Sequence, residues 1–399
     1  MLGCLLCLED TKMKLLRICA NGLPAFENGK VDIDFTVKQR VTDDDRDQLS
    51  QVGNATHLFA NNVIGFSGIN ASGKTTVLTL ISFVLRLVTN KPLNTEDRYW
   101  SRALRKFQIA DFAIYLLSNQ NECIKLKTQI EHDQNGNLVI KKEELYKKKI
   151  TKSMSKKKLF EFTENMLFVT RDDIKYLLDD VSIIIVLNRD NKDGTNIIDL
   201  INITNFNILT LYGDYPKTLV HFLDPSIEYI HAKKMPEGKD GTPVAAIELK
   251  FYDGEPIILS NVALLNNYLS SGTIKGIGLF LEAKTLFKHG GYLILDEIEN
   301  HFNYEIVVTL IRYFMDNEIN KAGAVLLFTT HYLELLNEFE RNDNIFIVRN
   351  KTGIKVNNLS LELKRNDVNK SDVFKSGYLG GTSIQYEQRF ALTKNFREE

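Results

Sequence analysis

From residue 14 to residue 37 apolar and polar positions alternate, interrupted by Gly22-Leu23-Pro24 and Glu27-Asn28-Gly29. That period of two predicts a hairpin of two strands. Residues Asn62 to Ser67 form a short apolar run, and Val77, Leu80, Ile81, Val84, Leu85 and Val88 then recur at helical spacing from Lys74 onward. Strand, glycine-bearing loop and helix therefore follow in order. Alternation returns from about Phe107 to Ile140, with Asn135-Gly136-Asn137 as a hairpin turn, and again from Ala245 to Phe251 before Tyr252-Asp253-Gly254-Glu255. Helical spacing over 274–287 precedes two short apolar runs, Tyr292 to Leu295 and Ala324 to Thr329, that predict buried strands. No repeat of fixed period and no sustained heptad is visible.

Composition adds bounds to this pattern. A chain of 399 residues with 44% hydrophobic and 10% aromatic content can bury a sizeable core in two lobes or one enlarged domain. Lys+Arg 50 against Asp+Glu 51 gives a net charge of -1, so no global field draws the chain to nucleic acid or membrane. The cysteines, Cys4, Cys7, Cys19 and Cys123, do not form a disulfide framework, and a reduced cytoplasmic setting fits them better. The lone Cys4-x-x-Cys7 pair lacks the four ligands of a zinc site. Residues 1–12 read as an N-terminal extension, too short for a signal peptide or a span, and no membrane contact is expected. Nine lysines crowd residues 141–158 beside Glu143 and Glu144; the bland reading is a solvated, partly mobile hairpin tip, and the alternative is a contact with nucleic acid or an acidic partner.

Four segments carry candidate chemistry. Gly68-Ile69-Asn70-Ala71-Ser72-Gly73-Lys74-Thr75 has glycines at both ends, so its backbone N–H groups can wrap a phosphate at a helix N-terminus. Lys74 would reach the β- and γ-phosphates and the Thr75 hydroxyl would ligate Mg²⁺. The strand over 292–295 ends in Asp296 and Glu297, where Asp296 would hold Mg²⁺ and Glu297 would polarise the attacking water. His331 ends the run Ala324 to Thr330; alone it would be an ordinary boundary residue, but with the other motifs it suits a γ-phosphate sensor. Leu269-Ser270-Ser271-Gly272-Thr273 opens the helix over 274–287. Its Ser270 is either a plain N-cap or, with Gly272, a donor set facing a neighbouring subunit's γ-phosphate.

Together these four segments resemble the ABC-type ATPase family, with Ser270 and Gly272 matching its signature while the third and fifth positions of 269–273 depart from it. Asn70 and the run Asp296-Glu297-Ile298-Glu299-Asn300 resemble the OLD, RecF and SMC branch more than transporter subunits. The resemblance implies an α/β fold: an ABC-type P-loop ATPase head with a mixed β-sheet core, an antiparallel β subdomain and an inserted helical or mixed lobe. It implies a first core half over 13–110, the inserted lobe over 111–225 and a second core half over 226–399. It also implies ATP with Mg²⁺ held by Gly68, Asn70, Ser72, Gly73, Lys74, Thr75, Thr76 and Asp296, with Ser270 and Gly272 supplied across a homodimer or higher homo-oligomer. Glu297, His331 and Lys74 would act in hydrolysis. Gln108 stands where a Q-loop could lie, and neither His301 nor Asn303 is assigned a role. Residues 332–399 carry no Asp-x-Asp strand, so no nuclease of the chain's own is expected. The whole resembles stand-alone ATPases of abortive-infection or PARIS-like antiviral defence, in which a separate effector, a nuclease or other toxin, is controlled and a viral or nucleic-acid trigger is sensed. The alternative is a RecF- or SMC-like repair ATPase that clamps duplex DNA.

Overall fold

The computed structural model describes residues 13–94, 104, 107–187, 195–201, 215–234, 245–260, 262–300, 302–380 and 386–398. The extension with Cys4 and Cys7, and His301, lie outside them. In chain order the strands are β1 (Lys14–Asn21), β2 (Lys30–Asp34), β3 (Leu49–Gln51), β4 (Phe59–Asn61), β5 (Val63–Ser67), β6 (Ile109–Leu117), β7 (Glu122–His132), β8 (Leu138–Lys149), β9 (Leu167–Thr170) and β10 (Ile197–Asp199). They continue as β11 (Ile227–Lys234), β12 (Ala245–Phe251), β13 (Ile257–Leu259), β14 (Tyr292–Leu295), β15 (Val325–Thr330), β16 (Ile345–Asn350) and β17 (Ile354–Asn358). The helices are α1 (Lys74–Leu87), α2 (Lys156–Phe160), α3 (Lys217–Leu223), α4 (Ser271–His289), α5 (Tyr304–Met315), α6 (Leu359–Glu362), α7 (Lys370–Lys375) and α8 (Tyr386–Glu398).

The central sheet has the order β10-β14-β15-β5-β16-β17. All neighbours in it are parallel except β17, which returns antiparallel to β16. β5, β14 and β15 are buried along their whole lengths, as strands covered on both faces must be, which is why they read as continuous apolar runs. α1 lies between this sheet and a second, antiparallel sheet of order β2-β1-β6-β7-β8-β9. One core joins Val77, Leu80, Ile81 and Val84 of α1 to Ile18, Phe112, Ile114 and Leu126 on one side and Ile64, Phe66 and Phe346 on the other. α4 and α5 pack on the opposite face of the central sheet through Leu279, Ala283, Val307 and Ile311. The architecture is a mixed α/β one. A third, three-stranded sheet, β11-β12-β13, with α3 and the start of α4 encloses its own small core of Val220, Ile227, Ile247, Leu269 and Ile274. No described helix is long and apolar enough to cross a membrane.

Two features differ from the pattern read along the sequence. β6 pairs with β1 from Leu117↔Lys14 to Asp111↔Asn21, so the antiparallel sheet runs straight across residue 110, where the inserted lobe was expected to begin. The lysine-rich stretch is no hairpin tip: β8 is hydrogen-bonded on both sides, by β7 and β9. Aromatic faces take the charges there, with Lys147 Nζ 3.9 Å from the Phe168 centroid and Lys148 Nζ 4.1 Å from that of Phe162. The buried Glu143 carboxylate is held by Arg171 at 2.9 Å, Ser182 at 2.7 Å and the Ile183 amide at 2.9 Å, and burial pushes its pKa up.

Candidate nucleotide-binding site

β5 delivers the chain to Gly68 and α1 takes it up at Lys74. A side chain at Gly68 would stand 2.4 Å from the Val348 carbonyl oxygen, and one at Gly73 (φ +96°) would stand 2.4 Å from Ile354 Cδ1. Bare backbone is required at both ends of the loop. Between them Ala71 is also left-handed (φ 60°), and Asn350 Nδ2 donates to its carbonyl at 3.3 Å. Lys74 is 6% exposed, and its Nζ donates to the carbonyls of Gly68 at 2.9 Å and Ile69 at 3.2 Å. Burial pulls its pKa down from the ordinary lysine value, while Asp296, Glu297 and Glu299 oppose the shift.

β14 and β15 are adjacent and parallel, so their C-terminal ends present Asp296, Glu297 and His331 beside this loop. Thr75 Oγ1 donates to Asp296 Oδ2 at 2.7 Å and Thr329 Oγ1 to Asp296 Oδ1 at 2.6 Å. Thr75 and Asp296 thus converge as oxygen donors, the set that a hard divalent cation takes. The Thr329 hydroxyl accepts in turn from the Glu297 amide at 2.7 Å. Glu297 has φ 50°, a left-handed backbone that costs a non-glycine residue about 1–3 kcal/mol and is maintained here by its surroundings. Asn300 Nδ2 donates to Glu297 Oε2 at 3.2 Å. His331 stands between the two charged groups: Nδ1 lies 3.5 Å from Lys74 Nζ and Nε2 lies 3.4 Å from Glu297 Oε1. Because an ammonium only donates, Nδ1 must accept, which leaves the Nε2 proton directed at Glu297.

The open cleft above these groups has a volume of about 710 Å³ and is lined by Asn70, Ser72, Gly73, Lys74, Thr75, Thr76, Glu297 and His331. Ala25, Ala71, Asn350 and Ile354 complete it; of these Ala25, Asn350 and Ile354 were not expected from the sequence, nor was Thr329 behind Asp296. Only Thr329 and Thr330, two hydroxyls ending an apolar run, offered a local signal. Ser270 and Gly272 do not line this chain's cleft. Ser270 caps α4, its Oγ accepting from the Thr273 amide at 3.0 Å. Gln108 is exposed just before β6 and also lies outside the lining. Asn303 caps α5, accepting from the Ile306 amide at 3.0 Å.

A family model described as "AAA domain, putative AbiEii toxin, Type IV TA system" matches residues 63–337, more than half of the chain, from β5 to just past β15. The chain belongs to this family. The chain is thereby an AAA-domain protein of mixed α/β architecture. No curated protein matches it. Among solved structures it is similar to the SMC head domain from Thermotoga maritima at 11% identity and TM-score 0.42, covering 86% of this chain and 98% of that one. The Smc head domain of Pyrococcus furiosus bound to the C-terminal domain of ScpA is similar at 12% identity and TM-score 0.47, covering 88% and 97%. The recombination mediator protein RecF with ATP is similar at 11% identity and TM-score 0.35, covering 87% and 100%.

Proposed function

We propose that this AAA-domain chain binds and hydrolyses ATP with Mg²⁺, and that two copies share each site, so that nucleotide state switches the contact between the copies and a separate effector protein. The observation that carries the reading is the position of His331 over the phosphate loop, 3.5 Å from Lys74 Nζ and 3.4 Å from Glu297 Oε1. Backbone amides of 68–75 would wrap the β-phosphate, and Lys74 would bind the β- and γ-phosphates as a charged donor. Thr75 and Asp296 would hold Mg²⁺, which when bound supplies positive charge against the phosphate oxygens. Glu297 Oε1 would accept the proton of the water that attacks the γ-phosphorus, with ADP as the leaving group. His331 would report on the γ-phosphate through the same imidazole that faces Glu297. Ser270 and Gly272 stand outside the chain's own cleft, which supports their action in trans on the γ-phosphate bound by a second copy.

The family description, with its toxin and Type IV TA system, supports placing this switch in antiphage defence with a nuclease or other toxin as effector. A second reading, a DNA-clamping repair ATPase, is favoured by β8, α2 and the turn between them: Lys142, Lys149, Lys152 and Lys158 have no carboxylate within 4 Å among the described residues. The two differ in one experiment on the purified wild-type protein, in which hydrolysis is measured with and without duplex DNA and complex formation is measured with the product of the adjacent gene. The effector reading expects a nucleotide-dependent complex and a rate that DNA leaves unchanged. A several-fold rise with DNA and no complex would reverse the order of the two.

A further inference from the structure

We infer that Glu299 is a positioning residue for hydrolysis, acting by holding the backbone of His331; this rests on the hydrolytic reading of the site. Glu299 Oε1 accepts from the His331 backbone amide at 2.5 Å, a bond to a carboxylate oxygen. β15 ends at Thr330, so this amide has left the sheet ladder and the carboxylate is what orients it. The turn that presents Glu299 is itself docked on the end of β15. Glu297 N donates to Thr329 Oγ1 at 2.7 Å and Ile298 N to the Thr329 carbonyl at 3.0 Å. Glu299 adds a bond along the same seam that holds the backbone of the residue whose imidazole spans Lys74 and Glu297.

Glu299 Oε1 is spent on the His331 amide, so the carboxylate acts on the backbone of that residue. Glu299 is also outside the cleft lining, so it does not touch the nucleotide's space as Glu297 does. What it offers is orientation: with the amide free, the peptide of His331 can rotate and the imidazole loses its position between the ammonium and the general base.

The test uses Glu299→Ala and Glu299→Gln in the full chain, alone and with His331→Ala, reading kcat, KM and the Kd of ADP. Glu299→Ala should lower kcat by roughly 10- to 100-fold with KM and the ADP Kd within about threefold of wild type. Glu299→Gln, which keeps an acceptor oxygen, should recover most of the loss. The double variant Glu299→Ala/His331→Ala should be no slower than His331→Ala, because both changes remove one device. Three results overturn the inference: a wild-type kcat in Glu299→Ala, a Gln variant as slow as the Ala variant, or additive losses in the double variant. A wild-type protein that hydrolyses no ATP overturns the hydrolytic reading and this inference with it, whereas an active wild type with an unaffected Glu299→Ala overturns this inference alone.

Discussion

Glu297→Gln is expected to keep ATP bound while slowing its hydrolysis by roughly 100- to 10,000-fold, the usual worth of a positioned general base. The amide can still accept from Asn300 Nδ2, now 3.2 Å from Glu297 Oε2, so the turn and its left-handed residue should persist. What is lost is the proton acceptor beside His331 Nε2, and with it the ability to generate the nucleophile. The bound ATP then has no route to ADP, and the closed two-chain state should accumulate. Single-turnover hydrolysis with radiolabelled ATP reads the first effect, and light scattering with and without MgATP reads the second. An unaltered rate would mean that Glu297 is not the base.

Lys74→Ala should act one step earlier. Its Nζ stands buried between two loop carbonyls at 2.9 and 3.2 Å, preorganised at the mouth of the phosphate loop with its charge favoured by three nearby carboxylates. A charged donor to phosphate contributes about 1.5–3 kcal/mol, so the variant's Kd for ATP should rise roughly 10- to 100-fold. Calorimetric titration checks this, and a Kd within twofold of wild type would remove Lys74 from the phosphate contacts. The contrast matters more than either number, since one variant should bind without turning over and the other should fail to bind.

Much of this site could be read from the chain because its parts are local. The phosphate loop is one segment whose glycines answer to contacts with Val348 and Ile354, and β14 and β15 are buried on both faces, so they stand out as unbroken apolar runs. Asn350, Ile354 and Ala25 could not be read in that way, because each reaches the cleft through pairing of segments far apart in sequence. β8 was hidden for a different reason. Its register shifts between Leu145 and Tyr146, which puts two buried residues side by side and erases the period of two, while lysines on both of its faces mimic a solvated loop. The join between β1 and β6 depends on pairing across about a hundred residues, such as Ile18↔Ile114, and no local period encodes it.

The central claim is that each site is closed by two chains, and mixing two inactive variants tests it most directly. Lys74→Ala removes the phosphate-binding half of a chain and Ser270→Arg blocks its signature half, so neither alone can build a complete site. A mixed pair restores one intact site, made of the phosphate loop from the Ser270→Arg chain and the Ser270–Gly272 turn from the Lys74→Ala chain. The account predicts that mixing the two purified variants yields an ATPase rate that neither shows alone, greatest near equal proportions. No rate above the separate variants at any ratio, with both folded and able to associate, would contradict a site shared between chains.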